Sequence, residues 1–310
     1  SKILFICAES LDEIETIAKI ARRNRIVAPV AVRVNPAINP KTHPHIATGL
    51  RQTKFGLSEN SAKKAYRVCR DEKWLNPAGI SMHIGSQVES VKPYVDSTRK
   101  IVSLYKYLLK QNISLKYIDI GGGWAAQFER DSILPHPDDY VSAISDLFTN
   151  LPVTVVAEPG RSLVGNAGIL IMKIIRMKKG PSRNFCIVDA GMNDFIRPVL
   201  YGANHRIDPV YHRPGRKVVY DIVGPVCENS DFLAKSISLS EVKKGDILAL
   251  FTAGAYGRVM SSNYNGRLRA AEVAVAGSNV FSIGKRDDFQ DLVRGQRGVN
   301  ISKKTVEDLF

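Results

Sequence analysis

Residues 116–123 read Lys116-Tyr117-Ile118-Asp119-Ile120-Gly121-Gly122-Gly123. A short apolar run that ends in glycine reads as a strand. Before it, Tyr94–Leu109 carries apolar residues at helical spacing, and after it Tyr140–Leu147 does the same. Strand, glycine turn and helix in that order make one βα unit, and the question is how often it recurs.

It recurs five times in 165 residues. Ile3–Ala8, Val30–Val34, Gly79–Ile84, Lys116–Ile120 and Val153–Ala157 read as strands. Leu11–Ala21 and Ser61–Arg70 add helices between them. Strands alternating with helices imply a parallel sheet. Polar or glycine-rich residues follow each strand: Glu9-Ser10, Asn35-Pro36, Gly85-Ser86, the triple glycine, and Glu158-Pro159-Gly160-Arg161. A (β/α)₈ barrel builds its active site at that face. No G-x-G-x-x-G occurs, so a barrel is expected rather than an open dinucleotide-binding sheet.

Beyond about residue 167 the texture changes. Ile169–Arg176, Asn184–Asp189, Lys217–Val223, Asp246–Leu250, Ala271–Ala276 and Val280–Ile283 read as strands with few helical periods between them. The expected architecture is α/β plus all-β. A partial TIM-type barrel of about five of the eight βα units covers 1–166, a β-sandwich or Greek-key barrel covers 167–296, and a tail covers 297–310.

Composition narrows the function classes. The chain has 310 residues, 44% of them hydrophobic and 24% charged, which excludes a disordered polypeptide. No stretch approaches the roughly 18 apolar residues of a membrane span, and a cytoplasmic location without membrane contact is expected. Net charge is +14, but the basic residues are scattered, the densest group being Arg22-Arg23-Asn24-Arg25. No basic block or base-reading motif accompanies them, so no nucleic-acid partner is expected. Four cysteines without a close pair argue against a disulfide framework or zinc knuckle. His43 and His45 lack acidic or cysteine partners at ligand spacing, so no metal site is expected.

Taken singly, the polar motifs decide little. The triple glycine would let backbone N–H groups approach a phosphate, or would simply form a tight turn. Glu158 and Arg161 could be a surface ion pair, His83 a structural histidine, and Cys227 an inert thiol. In order along the chain they say more. Val34-Asn35-Pro36 is followed by Lys41-Thr42-His43-Pro44 and Lys54-Phe55-Gly56, then by His83-Ile84-Gly85-Ser86-Gln87. Asp119 to Gly123 and Glu158-Pro159-Gly160-Arg161-Ser162 come next. The second half adds Asp189-Ala190-Gly191-Met192-Asn193-Asp194, Ile196-Arg197-Pro198, Leu200-Tyr201 and Gly224-Pro225-Val226-Cys227-Glu228. Ala255-Tyr256-Gly257 and Met260-Ser261-Ser262-Asn263-Tyr264-Asn265 close the series. This set resembles the fold-type III pyridoxal-phosphate decarboxylases, and within them the diaminopimelate decarboxylase family, from Ala8 to about Leu292.

The resemblance implies pyridoxal 5′-phosphate as cofactor and decarboxylation of meso-2,6-diaminopimelate to L-lysine as the reaction, the last step of lysine biosynthesis. Glu158 would face the ring nitrogen and His83 would stack on the ring. Ser86, Gly121, Gly122, Gly123, Gly160, Arg161 and Tyr256 would hold the cofactor. Arg161, Arg197, Tyr201, Glu228 and Tyr256 would bind substrate. Cys227 would be the general acid, and Cys227 with Glu228 would come from the neighbouring subunit of a homodimer with shared active sites. Glu228 and Ser162 favour diaminopimelate over ornithine.

The sequence also departs from the family pattern. Ser81 stands where a histidine is often found, and Thr252 where an aspartate often precedes Ala-Gly-Ala-Tyr. No residue matches the lysine that carries the cofactor, and the matched region begins at what resembles the fourth barrel strand. The expectation is therefore an incomplete barrel with exposed edges and no normal turnover by this chain alone. A catalytically inactive remnant, a partner subunit complemented by a lysine-bearing chain, or a related ornithine/arginine-type decarboxylase are the alternatives.

Overall fold

A computed structural model describes residues 3–39, 54–129, 132–211 and 214–296. The Lys41–Pro44 motif, His43, His45 and the 297–310 tail lie outside the described residues. The chain divides into two compact units. The first comprises Ser1–Leu170 with Asn204–Ile207 and Ala249–Ala255, and the second Ile171–Ala203, Asp208–Leu248 and Tyr256–Phe310.

The first unit runs β1 (Ile6–Ala8), α1 (Leu11–Asn24), β2 (Ala28–Arg33), α2 (Glu59–Asp71), β3 (Leu75–Ser81), α3 (Val91–Lys110), β4 (Tyr117–Asp119), α4 (Pro137–Ser145), β5 (Thr154–Val156) and α5 (Arg161–Val164). Its five strands are all parallel and lie in sequential order. Val32 registers with Ile80, Ile80 with Ile118, and Ile118 with Val155. A doubly wound sheet would reverse its strand order part-way, and this sheet does not.

The helices begin where the sequence supplies caps. The Ser10 hydroxyl accepts from Glu13 N at 3.1 Å, and the Ser58 hydroxyl accepts from Ser61 N at 3.2 Å. Each satisfies a backbone donor the helix cannot. The helices bury one face on the sheet through Ile14, Tyr66, Cys69, Tyr105 and Leu108. The Tyr66 hydroxyl, buried with its ring, donates to Gly79 O at 2.8 Å.

Strand β3 starts and ends earlier than the expected Gly79–Ile84. Proline and asparagine disguise its first half, and Pro77 is accommodated where the β2–β3 register shifts between Val30 and Ala31. His83 therefore lies beyond the strand end.

Beyond α5 the chain runs β6 (Leu170–Lys179), β7 (Asn184–Val188), α6 (Arg197–Tyr201), β8 (Ile207–Pro209), β9 (Lys217–Val223), β10 (Phe232–Ser240) and β11 (Ile247–Leu250), which fall mostly in the second unit. A hairpin, β12 (Glu272–Ala276) with β13 (Asn279–Gly284), and α7 (Phe289–Leu292) follow. The larger sheet has the order β10-β9-β7-β6-β11-β8. It is mixed: β7 pairs parallel to β9, while β6–β7 and β9–β10 are antiparallel. Sequence reasoning missed β8 and β10. In β10 two register shifts and a left-handed Ser236 (φ 55°) break the alternation on which a strand is recognised.

Candidate active site

The ends of β3, β4 and β5 in the first unit are laced together through the triple glycine. A Cβ on Gly121 would lie 2.2 Å from Met82 O, one on Gly122 2.0 Å from Glu158 O, and one on Gly123 1.8 Å from Gly85 O. The glycines are thus demanded first by neighbouring backbone. Hydrogen bonds continue past the strands: Met82 N donates to Asp119 O, Ile120 N to Val156 O, and Glu158 N to Gly121 O, each at 2.9 Å. This packing brings His83, Ser86, Asp119 and Glu158 to one end of the sheet.

Tyr94, from α3, supports the glycines from beneath. Its buried hydroxyl lies 2.6 Å from Gly122 O and 3.0 Å from Ile120 O. Burial raises its pKa, so it stays a phenol that donates. Tyr94→Phe should cost about 1 kcal/mol, the net worth of one such bond, measured as the change in urea midpoint at unchanged slope.

His83 is half-buried, and its Nδ1 accepts from Gly122 N at 3.2 Å. That nitrogen is consequently unprotonated, which leaves the ring neutral with its proton on Nε2. Burial, with the nearby Arg33 charge second, pushes its pKa from 6.5 down to about 4. In the window between these values the unfolded chain binds a proton that the folded chain does not. Stability should fall as pH drops from 6.5 to 4, by up to about 3 kcal/mol from this residue. Urea unfolding at the two ends of the window checks this, and His83→Asn should flatten the slope.

Glu158 is exposed at the end of β5. Partial desolvation of its carboxyl, then the charge of Asp119, raises its pKa. Asp119 itself is buried, and its carboxylate accepts from Ser81 Oγ at 2.8 Å and Gly121 N at 2.9 Å. Arg33 is paired with Glu9 at 2.5 Å, and Glu9 also accepts from Gly56 N at 2.9 Å.

Ser86 receives Arg161, whose Nη2 and Nε lie 3.0 and 3.3 Å from its hydroxyl. Arg161 is 5% exposed, and its guanidinium lies 5.7 Å from the Phe128 ring centroid. Next to Ser86, the Gln87 amide donates to Ala126 O at 2.9 Å and accepts from Ala126 N at 3.1 Å. A Cβ on Gly160 would meet nothing within 4 Å. Open space therefore lies beside Gly160.

In the second unit, Arg197 is 5% exposed at the start of α6, with the ring centroids of Tyr201 and Tyr256 at 5.4 and 5.9 Å. Tyr256 has left-handed backbone (φ 66°) and a half-exposed ring. Cys227 is exposed. Glu228 accepts from the Tyr264 hydroxyl, and from Ser230 Oγ at 2.8 Å. These bonds, Tyr264 first, lower its pKa. The loop carrying Cys227 and Glu228 is fixed by buried Asp231, which accepts from Met192 N and Val226 N, each at 2.6 Å. Among the described residues no cluster of three or more metal-ligating side chains occurs. No described helix is long and apolar enough to cross a membrane.

Sequence reasoning missed Asp119, Ser81, Tyr94, Gln87 and Asp231 as supports. The Asp119 carboxyl next to the glycines carried the one available signal.

The pattern described as "Pyridoxal-dependent decarboxylase, pyridoxal binding domain" matches residues 1–165. Diaminopimelate decarboxylase of Aquifex aeolicus is 45% identical over 293 residues, covering 94% of this chain and 70% of the relative. The chain belongs to the diaminopimelate decarboxylase family. The family member from Haemophilus influenzae is 43% identical, over 92% of this chain and 68% of its own. The crystal structure of the Helicobacter pylori family member complexed with L-lysine superposes with a TM-score of 0.89 at 38% identity, covering 94% of this chain and 73% of that one.

Proposed function

We propose that this chain is a pyridoxal 5′-phosphate-dependent diaminopimelate decarboxylase, converting meso-2,6-diaminopimelate to L-lysine and CO₂. The observation that carries the reading is the cluster at the ends of β3, β4 and β5: a neutral imidazole face, a carboxylate with raised proton affinity, and open space beside Gly160 near a Ser86–Arg161 pair. These suit a flat, protonatable ring bearing a phosphate. The sequential parallel strands are read as part of a (β/α)₈ barrel within residues 1–166, followed by a Greek-key or sandwich β domain over 167–296.

The cofactor, when bound, supplies a pyridinium electron sink for the electrons released with CO₂. His83 offers a ring to stack on, and its Nδ1–Gly122 bond sets the plane of that ring. Glu158 holds the ring-nitrogen proton. Ser86, Gly123 and Gly160 receive the phosphate, with Arg161 held against Ser86, while the N–H groups of Gly121 and Gly122 stay on Asp119 and His83. Arg197 and Tyr201 bind a substrate carboxylate, for which a planar guanidinium is well matched. Cys227 returns a proton to the substrate carbon, and Glu228 binds the far amino group. A cytoplasmic homodimer with shared active sites belongs to the same proposal.

The test is direct. Protein purified from its source is incubated with pyridoxal phosphate and meso-diaminopimelate, and lysine and CO₂ are quantified against ornithine and arginine as competing substrates. Lysine formation supports the reading. Preferred turnover of ornithine or arginine sinks the substrate assignment. No residue of 1–310 matches the cofactor-carrying lysine, so binding without turnover would favour complementation by a lysine-bearing chain.

A further inference from the structure

We propose that Gln87 is the positioning residue for the Ser86–Arg161 pair: its side-chain amide ties the segment carrying Ser86 to the segment carrying Phe128, and so fixes the hydroxyl and the guanidinium as a preformed seat for a phosphate. The inference rests on the decarboxylase reading and names a support for its phosphate site. Beyond the ends of β3 and β4 the two segments run side by side. Val88 and Trp124 form an isolated parallel bridge, with Val88 N donating to Gly123 O at 2.9 Å. Further along lies Ala126, 4% exposed. The Gln87 amide takes both of its backbone groups: Nε2 donates to Ala126 O at 2.9 Å, and Oε1 accepts from Ala126 N at 3.1 Å. The side chain thus does what a neighbouring peptide group does in a sheet, and buried backbone groups require such partners. Gln87 itself has left-handed backbone (φ 58°), a conformation that costs a residue with a Cβ and persists where its surroundings hold it.

The contacts close a circuit. Ser86 precedes Gln87, and Phe128 follows Ala126 by two residues. The Arg161 guanidinium meets both: Nη2 and Nε lie 3.0 and 3.3 Å from Ser86 Oγ, and Cζ lies 5.7 Å from the Phe128 ring centroid, within range of cation–ring attraction. The His205 ring meets Phe128 edge-on, with centroids 4.7 Å apart. Thr252 Oγ donates to Gln127 O at 2.6 Å, and Arg206 N donates to Phe128 O at 3.0 Å. Those two bonds fix residues 127 and 128 to the segments around 206 and 252. Gln87 fixes the same stretch to Ser86, and so sets the gap between hydroxyl and ring that Arg161 bridges. A guanidinium already ordered in this way gives up less freedom when an anion arrives, which strengthens binding.

The first arm of the test needs no ligand. The Arg161 Nε–H resonance is assigned in the unaltered chain by its loss in Arg161→Lys. Gln87→Met, which keeps the side chain's length and removes its amide, should shift that resonance or broaden it away. A glutamine that merely stabilises the fold would lower the urea midpoint and leave the resonance in place, and that outcome overturns the proposal. If Gln87→Met does not fold, Gln87→Glu decides. It keeps an acceptor for Ala126 N and loses the donor to Ala126 O, so the resonance should again move, and an unmoved one overturns the proposal. The second arm compares pyridoxine 5′-phosphate, which has no aldehyde to react with surface lysines, with pyridoxine, by calorimetry. Gln87→Met should weaken binding of the phosphorylated compound by about tenfold, the worth of one charge-assisted hydrogen bond, and leave pyridoxine unchanged. Equal weakening of both, or of neither, overturns the proposal. If the unaltered chain does not prefer the phosphorylated compound, the phosphate site of the decarboxylase reading falls, while the Arg161 resonance still decides the positioning role.

Discussion

Glu158→Gln, made in a protein that also carries the cofactor-binding lysine, is expected to lower the rate of lysine formation by about 10²–10³-fold, the range seen when one preorganised electrostatic partner of a reacting system is removed. The amide has the same shape as the carboxylate and cannot balance a protonated ring nitrogen. A bound ring nitrogen would then lose its proton more readily, and the ring would be a poorer acceptor of the electrons left by CO₂. Glu158 is exposed, so the substitution should leave the unfolding free energy within about 0.5 kcal/mol of the unaltered protein. A turnover number that survives Glu158→Gln would remove Glu158 from the electron-sink role. Substrate affinity should change little, because the carboxylate is assigned to the cofactor and not to diaminopimelate.

Gly123→Ala is expected to destabilise the first unit by about 4 kcal/mol or more, among the largest effects of a single substitution. Two independent costs combine. The added Cβ would sit 1.8 Å from Gly85 O, which is backbone and cannot rotate away. Gly123 also has φ +93°, where an L side chain is strained. The comparison is Gly160→Ala. Its Cβ would meet nothing within 4 Å and φ is −113°, so stability should stay within about 0.5 kcal/mol. The same methyl group would occupy the open space assigned to the phosphate. Pyridoxal phosphate should therefore bind Gly160→Ala more weakly than the unaltered chain. Urea unfolding and absorbance titration of the pair separate a glycine required by the protein's own backbone from one required by its ligand. Equal stability of the two variants would contradict that division.

The contrast between these glycines also marks where the sequence was legible. The alternation of strands and helices through residue 156 was readable because short apolar runs alternate with amphipathic helices, most plainly at β2 and β4. Lys217–Val223 was found to the residue because its run of valine, tyrosine and isoleucine is rich in β-branched and aromatic residues. Strand β10 was not, because Ser236 and the paired register shifts turn its side chains over part-way. Leu75 to Ala78 was lost because Pro77 is tolerated at a bulge that only the neighbouring strand reveals. At the site, His83, Ser86 and Glu158 could be named from motif order. Their supports could not. Asp119 and Ser81 lie 38 residues apart, and Tyr94 reaches Gly122 across 28. Asp231, beyond the Cys227–Glu228 pair, acts on backbone amides as far back as Met192. Such roles come from tertiary proximity and leave no local pattern. The triple glycine was read as a feature for an anion or as a tight turn, and the neighbouring carbonyls supply a further reason for it.

For anyone redesigning what this end of the sheet accepts, the three glycines behave as a seam. Each faces the carbonyl of an adjoining strand end, so no side chain can be introduced along Gly121–Gly123 without parting the strands it joins. The adaptable positions lie to either side of the seam: Gly160, with free volume before it, and Ser81, whose hydroxyl reaches the buried carboxylate from β3. A mutational library confined to those two positions would sample altered phosphate seating and altered proton affinity separately, with the frame that holds both left whole.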